Sequence, residues 1–226
     1  EVTTGPLGQG VANAVGFALA EKHLAAKFNT EKHKIVDHYT FVLCGDGCLM
    51  EGVAAEAASL AGTMGLGKLI LLYDSNNITI EGDTQTTFTE DVLKRFEAYG
   101  WHTQEVKEGN DGDAIEKAIA LAKAETTKPS IIKINTIIGY GAPNKQGKAS
   151  AHGEPLGEEE LKAAKQTLGW SETETFAVPV DVAEYMKTLQ AEFAKKEQQW
   201  NELFEEYKKE NPRLAKQWGI WHSKEL

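Results

Sequence analysis

Two short apolar runs, each emptying into a polar turn, constrain this chain more than any other feature. The first crosses Tyr39 to Leu43 and ends in Cys44-Gly45-Asp46-Gly47; the second crosses Leu69 to Tyr73 and ends in Asp74-Ser75-Asn76-Asn77-Ile78. Runs this short, apolar and rich in β-formers read as buried strands of a parallel sheet. Adjacent strands of an open α/β sheet bring their carboxyl-terminal turns to one edge, where such sheets bind ligands.

The chemistry of the two turns suits a hydrated Mg²⁺ bridging to a diphosphate, with Ca²⁺ or Mn²⁺ as alternatives. Asp46 offers a hard anionic oxygen, Asn76 an amide oxygen and Ile78 a backbone carbonyl. Gly45 and Gly47 put no Cβ between backbone N–H groups and phosphate oxygens, and a helix expected to begin near Leu49 points its positive end there. Gly-Asp-Gly alone says little, because these residues fill ordinary turns. Here a strand precedes it, and a second strand ends in Asn76-Asn77 with 28 residues between Gly47 and Asn76. The combination is specific.

At these residues the sequence resembles the thiamine-diphosphate enzymes, and the surrounding segments narrow the resemblance to transketolase. Gly5-Pro6-Leu7-Gly8-Gln9-Gly10, Cys44 to Gly52, Arg95 to His102, Ile137-Ile138-Gly139-Tyr140-Gly141 and Ser150 to Pro155 all look like that family, so the match runs over nearly the whole chain. The resemblance implies transfer of a two-carbon ketol unit from a ketose phosphate to an aldose phosphate, with thiamine diphosphate held through the metal. It places Gly45, Asp46, Gly47 and Asn76 at the cofactor, and Asp46, Asn76 and Ile78 at the metal. Gly5, Pro6 and Leu7 would form a wall beside the cofactor rings, and His152 would touch diphosphate and substrate oxygens. Glu51 would reach towards a partner subunit, coupling to the glutamate that activates the cofactor. From the residues alone, Gly5 to Gly10 is a tight loop without the strand or the Gly-Lys-Ser/Thr of a nucleotide site. Glu51 alone is equally at home in the first turn of a helix, favoured by its dipole.

Strand and helix signals alternate, which makes a doubly wound, mainly parallel α/β sheet with helices on both faces the economical fold. A helix runs from Gly10 to about Phe28, another from Met50 to Met64, and Thr89 is expected to cap one over Glu90 to Tyr99. Strands follow at Trp101 to Val106 and Ser130 to Thr136, with a helix over Asp113 to Glu125 between them. The Gly-rich stretch Gly139 to Gly157, carrying Lys145, Lys148 and His152, reads as an active-site cover. Helices over Gly157 to Leu168 and Val180 to Lys209 complete the chain. His33 and His38 are expected on the surface, His102 in a structural role, and Trp218 and Trp221 docked on another domain.

With 226 residues, 41% of them hydrophobic, the chain can bury a full core. The resemblance implies a diphosphate-binding α/β domain over 1–170, incomplete at its start, followed by a helical extension over 171–226. A net charge of −10 argues against a nucleic-acid partner, and no apolar stretch approaches the roughly 18 residues of a membrane span. Glu1-Val-Thr-Thr is neither a signal peptide nor a starting methionine, so the chain is expected to begin mid-protein and to be cytoplasmic. Cys44 and Cys48 lack the further ligands that zinc needs and read as reduced packing thiols. The activating carboxylate and further histidines of the family lie outside these residues. The chain alone is therefore expected to be incompetent, and to act in a homodimer or with a complementary chain that supplies the pyrimidine-binding half. The competing readings are a phosphoketolase, a deoxyxylulose-phosphate synthase, or a non-catalytic cofactor-binding or assembly module.

Overall fold

The structure is a computed structural model that describes residues 1–171 and 173–223. Four strands, β1 (Thr40–Gly45), β2 (Leu69–Ser75), β3 (His102–Val106) and β4 (Ser130–Asn135), form one sheet in the order β1-β2-β4-β3. Every pairing is parallel, so all four carboxyl ends lie along one edge. Gly45 sits opposite Asp74, and Ser75 opposite Asn135. The chain leaves β2 for the far edge at β3 and returns to β4 in the middle, which fits a doubly wound sheet.

Two compact units emerge: Glu1–Ala20 with the residues from His38 onward, and Glu21–Asp37 with the residues from Thr173 onward. In the first, alternation along each strand sends side chains to opposite faces. Val42, Cys44, Leu71, Tyr73 and Ile131 are buried on one face under three helices, α1 (Gln9–Phe28), α3 (Gly52–Met64) and α4 (Val92–Ala98). Ile70, Ile132 and Ile134 are buried on the other with Ala118 and Ala122 of α5 (Gly112–Ala124). On this second face β1 stays open, and Leu43 is 82% exposed. Phe96 of α4 meets the Trp101 ring edge-on at 5.0 Å, and Trp101 Nε1 donates to the Ala58 carbonyl at 2.8 Å, locking α3 to the start of β3. His102, at the start of β3, has its Nδ1 3.1 Å from Ser130 Oγ at the start of the neighbouring β4.

The expected helix over Met50 to Met64 is broken. A short helix, α2 (Asp46–Met50), follows β1 directly, and Glu51 is extended at φ −75° and ψ 136° before α3 begins. The break is held from afar, since Arg95 Nη2 donates to the Leu49 carbonyl at 2.8 Å and satisfies a group that a continuing helix would have used. Glu51 is thus the residue ahead of α3 rather than part of a first turn. Asp91, not Thr89, caps α4, accepting the Lys94 N–H at 3.1 Å. A carboxylate three residues ahead of that amide is a strong cap. Helix α6 (Glu158–Thr167) falls where expected.

The second unit holds α7 (Val180–Glu210) and α8 (Pro212–Trp221) against the end of α1 and the loop after it. Of the extension expected over 171–226, residues 172 and 224–226 lie outside the described residues. Asn211-Pro212 ends α7 and also opens α8, since proline at a first helical position needs no N–H partner. Trp218 packs edge-on to Phe28 at 5.2 Å and lies 5.7 Å from Phe204, so it docks inside its own unit rather than on another domain. Trp221 stacks on His23 at 5.8 Å. His38 is exposed as expected, but His33 is only 1% exposed, enclosed by Tyr207 from a helix far along the chain. Among the described residues no helix is long and apolar enough to cross a membrane.

Candidate functional site

Asp46 opens α2 at the carboxyl end of β1 and is 4% exposed. Tyr73 Oη donates to its Oδ1 at 2.5 Å, and the Asn77 N–H donates to its Oδ2 at 3.1 Å. The turns after β1 and β2 therefore meet at one carboxylate, the convergence that the two strand-and-turn runs predict. Asn77 reaches it in the left-handed region, at φ 60°, which asparagine tolerates better than most residues. Its carbonyl accepts the N–H of buried Thr84 at 3.0 Å, and Ile78 bridges to Asp83, so the turn is pinned from behind.

Asn76 is oriented from both ends. Its Oδ1 accepts the Ile78 N–H at 2.9 Å, and its Nδ2 donates to Asp74 Oδ1 at 3.3 Å. The Thr136 hydroxyl, just past β4, donates to the same Asp74 oxygen. Tyr73, Asp74, Asn77 and Thr136 are thus supporting residues that sequence reasoning missed. Only the pairing register, which sets Cys44 beside Tyr73, could have found the phenol.

The electrostatics of this corner call for a cation. Asp46 is a buried carboxylate that pairs with no Lys, Arg or His among the described residues. Burying an anion without a counter-charge is costly, and two hydrogen bonds offset only part of that cost. Burial, with the hydrogen bond to Asp46, pushes the Tyr73 hydroxyl well above its ordinary range, so it stays a neutral donor. Burial likewise raises the Cys44 thiol, and Cys44 and Cys48 are both unpaired. An anionic oxygen, an amide oxygen and a backbone carbonyl on two abutting turns are hard ligands of the kind that suits Mg²⁺. A cavity of about 550 Å³ runs from Asp46 and Asn77 along Thr84 and α4 to Glu105 and Lys133, and of the residues expected at the cofactor it is lined by Asp46 alone.

Gly45 has no internal reason to be glycine. A Cβ there would meet nothing within 4 Å, and its φ of −100° is open to any residue. A close-lying ligand would supply the missing reason. Gly8 is the opposite case, because at φ 77° a Cβ would come within 2.7 Å of Glu51 Cβ. That contact seats the Gly5 to Gly10 loop against the break before α3, and Leu7 Cδ1 reaches within 3.2 Å of where a Gly47 Cβ would stand. Gly5, Pro6 and Leu7 are exposed beside the turn, as is Glu51.

His152 follows a short 3₁₀ turn over Ala149–Ala151 and is exposed, its ring without a hydrogen bond or ion pair among the described residues. The structure brings Gly45, Asp46, Gly47, Asn76, Ile78 and Leu7 together, and among the described residues no hydrogen bond or ion pair ties the His152 ring to any of them. The loop that carries His152 is braced within itself and from α6. Glu160 Oε1 accepts the Asn144 N–H at 2.8 Å, Lys145 Nζ donates to the Pro155 carbonyl at 3.1 Å, and Lys148 Nζ donates to the Asn144 carbonyl at 2.8 Å.

Tyr73→Phe isolates the contribution of the phenol. Removing the residue that orients Asp46, the candidate metal ligand, is expected to weaken Mg²⁺-dependent cofactor binding by about tenfold, and to lower stability by about 1 kcal/mol. Titration calorimetry and urea denaturation of the variant read the two effects separately.

Comparison with known proteins identifies a family. The chain matches the family "Transketolase, thiamine diphosphate binding domain" over residues 1–225. It is 59% identical over 210 residues to the chloroplastic transketolase of Zea mays, covering 92% of this chain and 31% of the relative. It is 55% identical over 220 residues to the transketolase of Halalkalibacterium halodurans, covering 97% of this chain and 33% of the relative. A crystal structure of Pichia stipitis transketolase in complex with sedoheptulose 7-phosphate superimposes with a TM-score of 0.92 at 48% identity, over 95% of this chain and 32% of that one. The chain thus spans about a third of the length of the relatives it matches.

Proposed function

This chain belongs to the transketolase family through its thiamine diphosphate binding domain, and from that premise we propose that it supplies the metal- and diphosphate-holding half of a transketolase active site. The observation that carries the proposal is the buried Asp46 carboxylate, without a cation, where the turns after β1 and β2 meet.

Asp46, Asn76 Oδ1 and the Ile78 carbonyl hold Mg²⁺, and Gly45 and Gly47 let backbone approach the diphosphate. Gly5, Pro6 and Leu7 wall the cofactor rings. When bound, thiamine diphosphate supplies the carbon that accepts and releases the two-carbon unit. Tyr73 and the Asn77 N–H fix the Asp46 carboxylate, so that its oxygens need no reorganisation when the metal arrives. His152 hydrogen-bonds diphosphate and substrate oxygens and moves protons, work suited to an imidazole near neutral pH. Glu51, exposed at the break before α3, faces a partner subunit and couples to the carboxylate that activates the cofactor. The substrates are ketose and aldose phosphates of the pentose phosphate pathway, the setting is the cytoplasm, and the working form is a homodimer or an assembly with a complementary chain.

Because the chain spans about a third of its relatives, the purified 226 residues are expected to give no transketolase turnover by themselves. Adding a chain with the remaining family domains, thiamine diphosphate and Mg²⁺ is expected to produce turnover that Asp46→Asn abolishes. Turnover by this chain alone would contradict the divided active site. Cofactor binding without turnover after complementation would instead favour a non-catalytic module.

A further inference from the structure

We propose that His33, Glu206 and Glu210 form a divalent transition-metal site, suited to Zn²⁺, within the second unit. It is separate from the Asp46 corner in residues and in ligand chemistry.

Helix α7 carries Glu206 and Glu210 four residues apart, the spacing that sets side chains on one face. The loop after α1 brings His33 up to them, and the three ligand atoms all lie within 4.8 Å of one another. His33 Nε2 is buried and has no hydrogen-bond partner. Glu210 Oε2 lies 3.8 Å from it, too far to accept a hydrogen bond. The other ring nitrogen, Nδ1, sits 3.3 Å from Thr30 Oγ1. With the ring proton on Nδ1, Thr30 accepts it, and Nε2 aims a bare lone pair at two carboxylates. That is an awkward arrangement without a cation and a fitting one with it. Metal-binding histidines are held in this way, by an acceptor on the nitrogen opposite the metal. Thr30 Oγ1 also accepts the His33 backbone N–H at 3.0 Å, and the Tyr207 ring packs edge-on at 5.8 Å, so the imidazole is fixed in place.

The carboxylates already gather a cation. Lys32 Nζ lies 2.7 Å from Glu206 Oε1 and 2.5 Å from Glu210 Oε1. These contacts raise the Lys32 ammonium and lower the Glu206 carboxyl from their ordinary ranges, so both stay charged. Lys32 donates to the two carboxylates and leaves the Nε2 lone pair unused, and its side chain is 58% exposed on a flexible stem. A dication offsets both carboxylates, where the ammonium offsets one. One imidazole nitrogen and two carboxylate oxygens, with water as a fourth ligand, make a tetrahedral zinc set. Imidazole disfavours Mg²⁺ and Ca²⁺ here. Glu206 and Glu210 are half-exposed, and side-chain rotation closes the remaining gap.

The test titrates Co²⁺ into the whole chain in excess Mg²⁺, which saturates the hard oxygen ligands around Asp46. The expected result is the visible absorption of tetrahedral Co²⁺, its loss on adding Zn²⁺, and a rise in Tm with either metal. Glu206→Gln combined with Glu210→Gln keeps the side-chain shapes on an exposed face, and is expected to abolish both signals while the metal-free protein stays folded. Lys32→Ala removes the competing ammonium and two exposed ion pairs, and is expected to tighten Co²⁺ binding about tenfold. The proposal is overturned if the parent shows no band and no Tm rise. It is equally overturned if the double variant keeps both signals, which would assign them to surface histidines, or if Lys32→Ala fails to tighten binding.

Discussion

Asp46→Ala is expected to raise the Kd for Mg²⁺–thiamine diphosphate at least about 100-fold, because it deletes the one carboxylate of the proposed metal-ligand set. The folded chain also loses something, since Tyr73 Oη and the Asn77 N–H both donate to this carboxylate. Leaving a buried donor unsatisfied costs about 1–3 kcal/mol. Part of that is returned, because Asp46 in the metal-free protein is a buried anion with no cationic partner among the described residues. Asp46→Asn separates the two effects. It keeps the shape and an acceptor oxygen for one of the donors but removes the charge, so its urea midpoint should lie closer to that of the parent while metal-dependent binding is still lost. Equilibrium dialysis with and without Mg²⁺ measures the loss. A variant that binds the cofactor as the parent does would remove Asp46 from the site.

The largest effect expected on stability comes from a substitution that local propensity would recommend. Gly62 lies inside α3, where alanine is favoured over glycine by about 1 kcal/mol. A Cβ at that position, however, would stand 1.8 Å from the Tyr99 carbonyl oxygen and 3.4 Å from Trp101 Cδ1. Tyr99 closes α4, and the Trp101 indole is tied to the Ala58 carbonyl of α3 at 2.8 Å, so neither neighbour can retreat without parting the helix from the sheet. Overpacking of this kind costs about 1–3 kcal/mol and sometimes more. Here the obstruction is backbone, which puts the cost at the upper end of that range, so Gly62→Ala is expected to destabilise the protein by about 2 kcal/mol net of propensity. Urea denaturation decides the sign, and a stabilised variant would mean that helix propensity outweighs the close approach.

What the sequence could reveal was governed by distance along the chain. The strands after residue 39 and the polar turns that end them are local patterns, and they suffice to bring the turn at Asp46 up to the turn that carries Asn76. The register that delivers the Tyr73 hydroxyl is a pairing between strands, and no local pattern encodes it. Glu51 looks helical because its neighbours are helix formers; the break depends on Arg95, whose guanidinium reaches Leu49 across 46 positions. His33 stands in a polar stretch and reads as solvated, yet it is buried by Tyr207 on α7. Trp218 likewise finds Phe28 inside its own unit, a contact invisible without the fold. Asp91 displaced Thr89 as a cap because both are good capping residues, and only the geometry of the Lys94 amide chooses between them.

Calorimetric titration of thiamine diphosphate into the folded chain, with Mg²⁺ present and then with the metal removed by chelation, tests the central claim most directly. Saturable binding that requires the metal is the result expected if Asp46, Asn76 and the Ile78 carbonyl hold a cation against the diphosphate. Absence of binding by a well-folded chain, or binding indifferent to the metal, would contradict it.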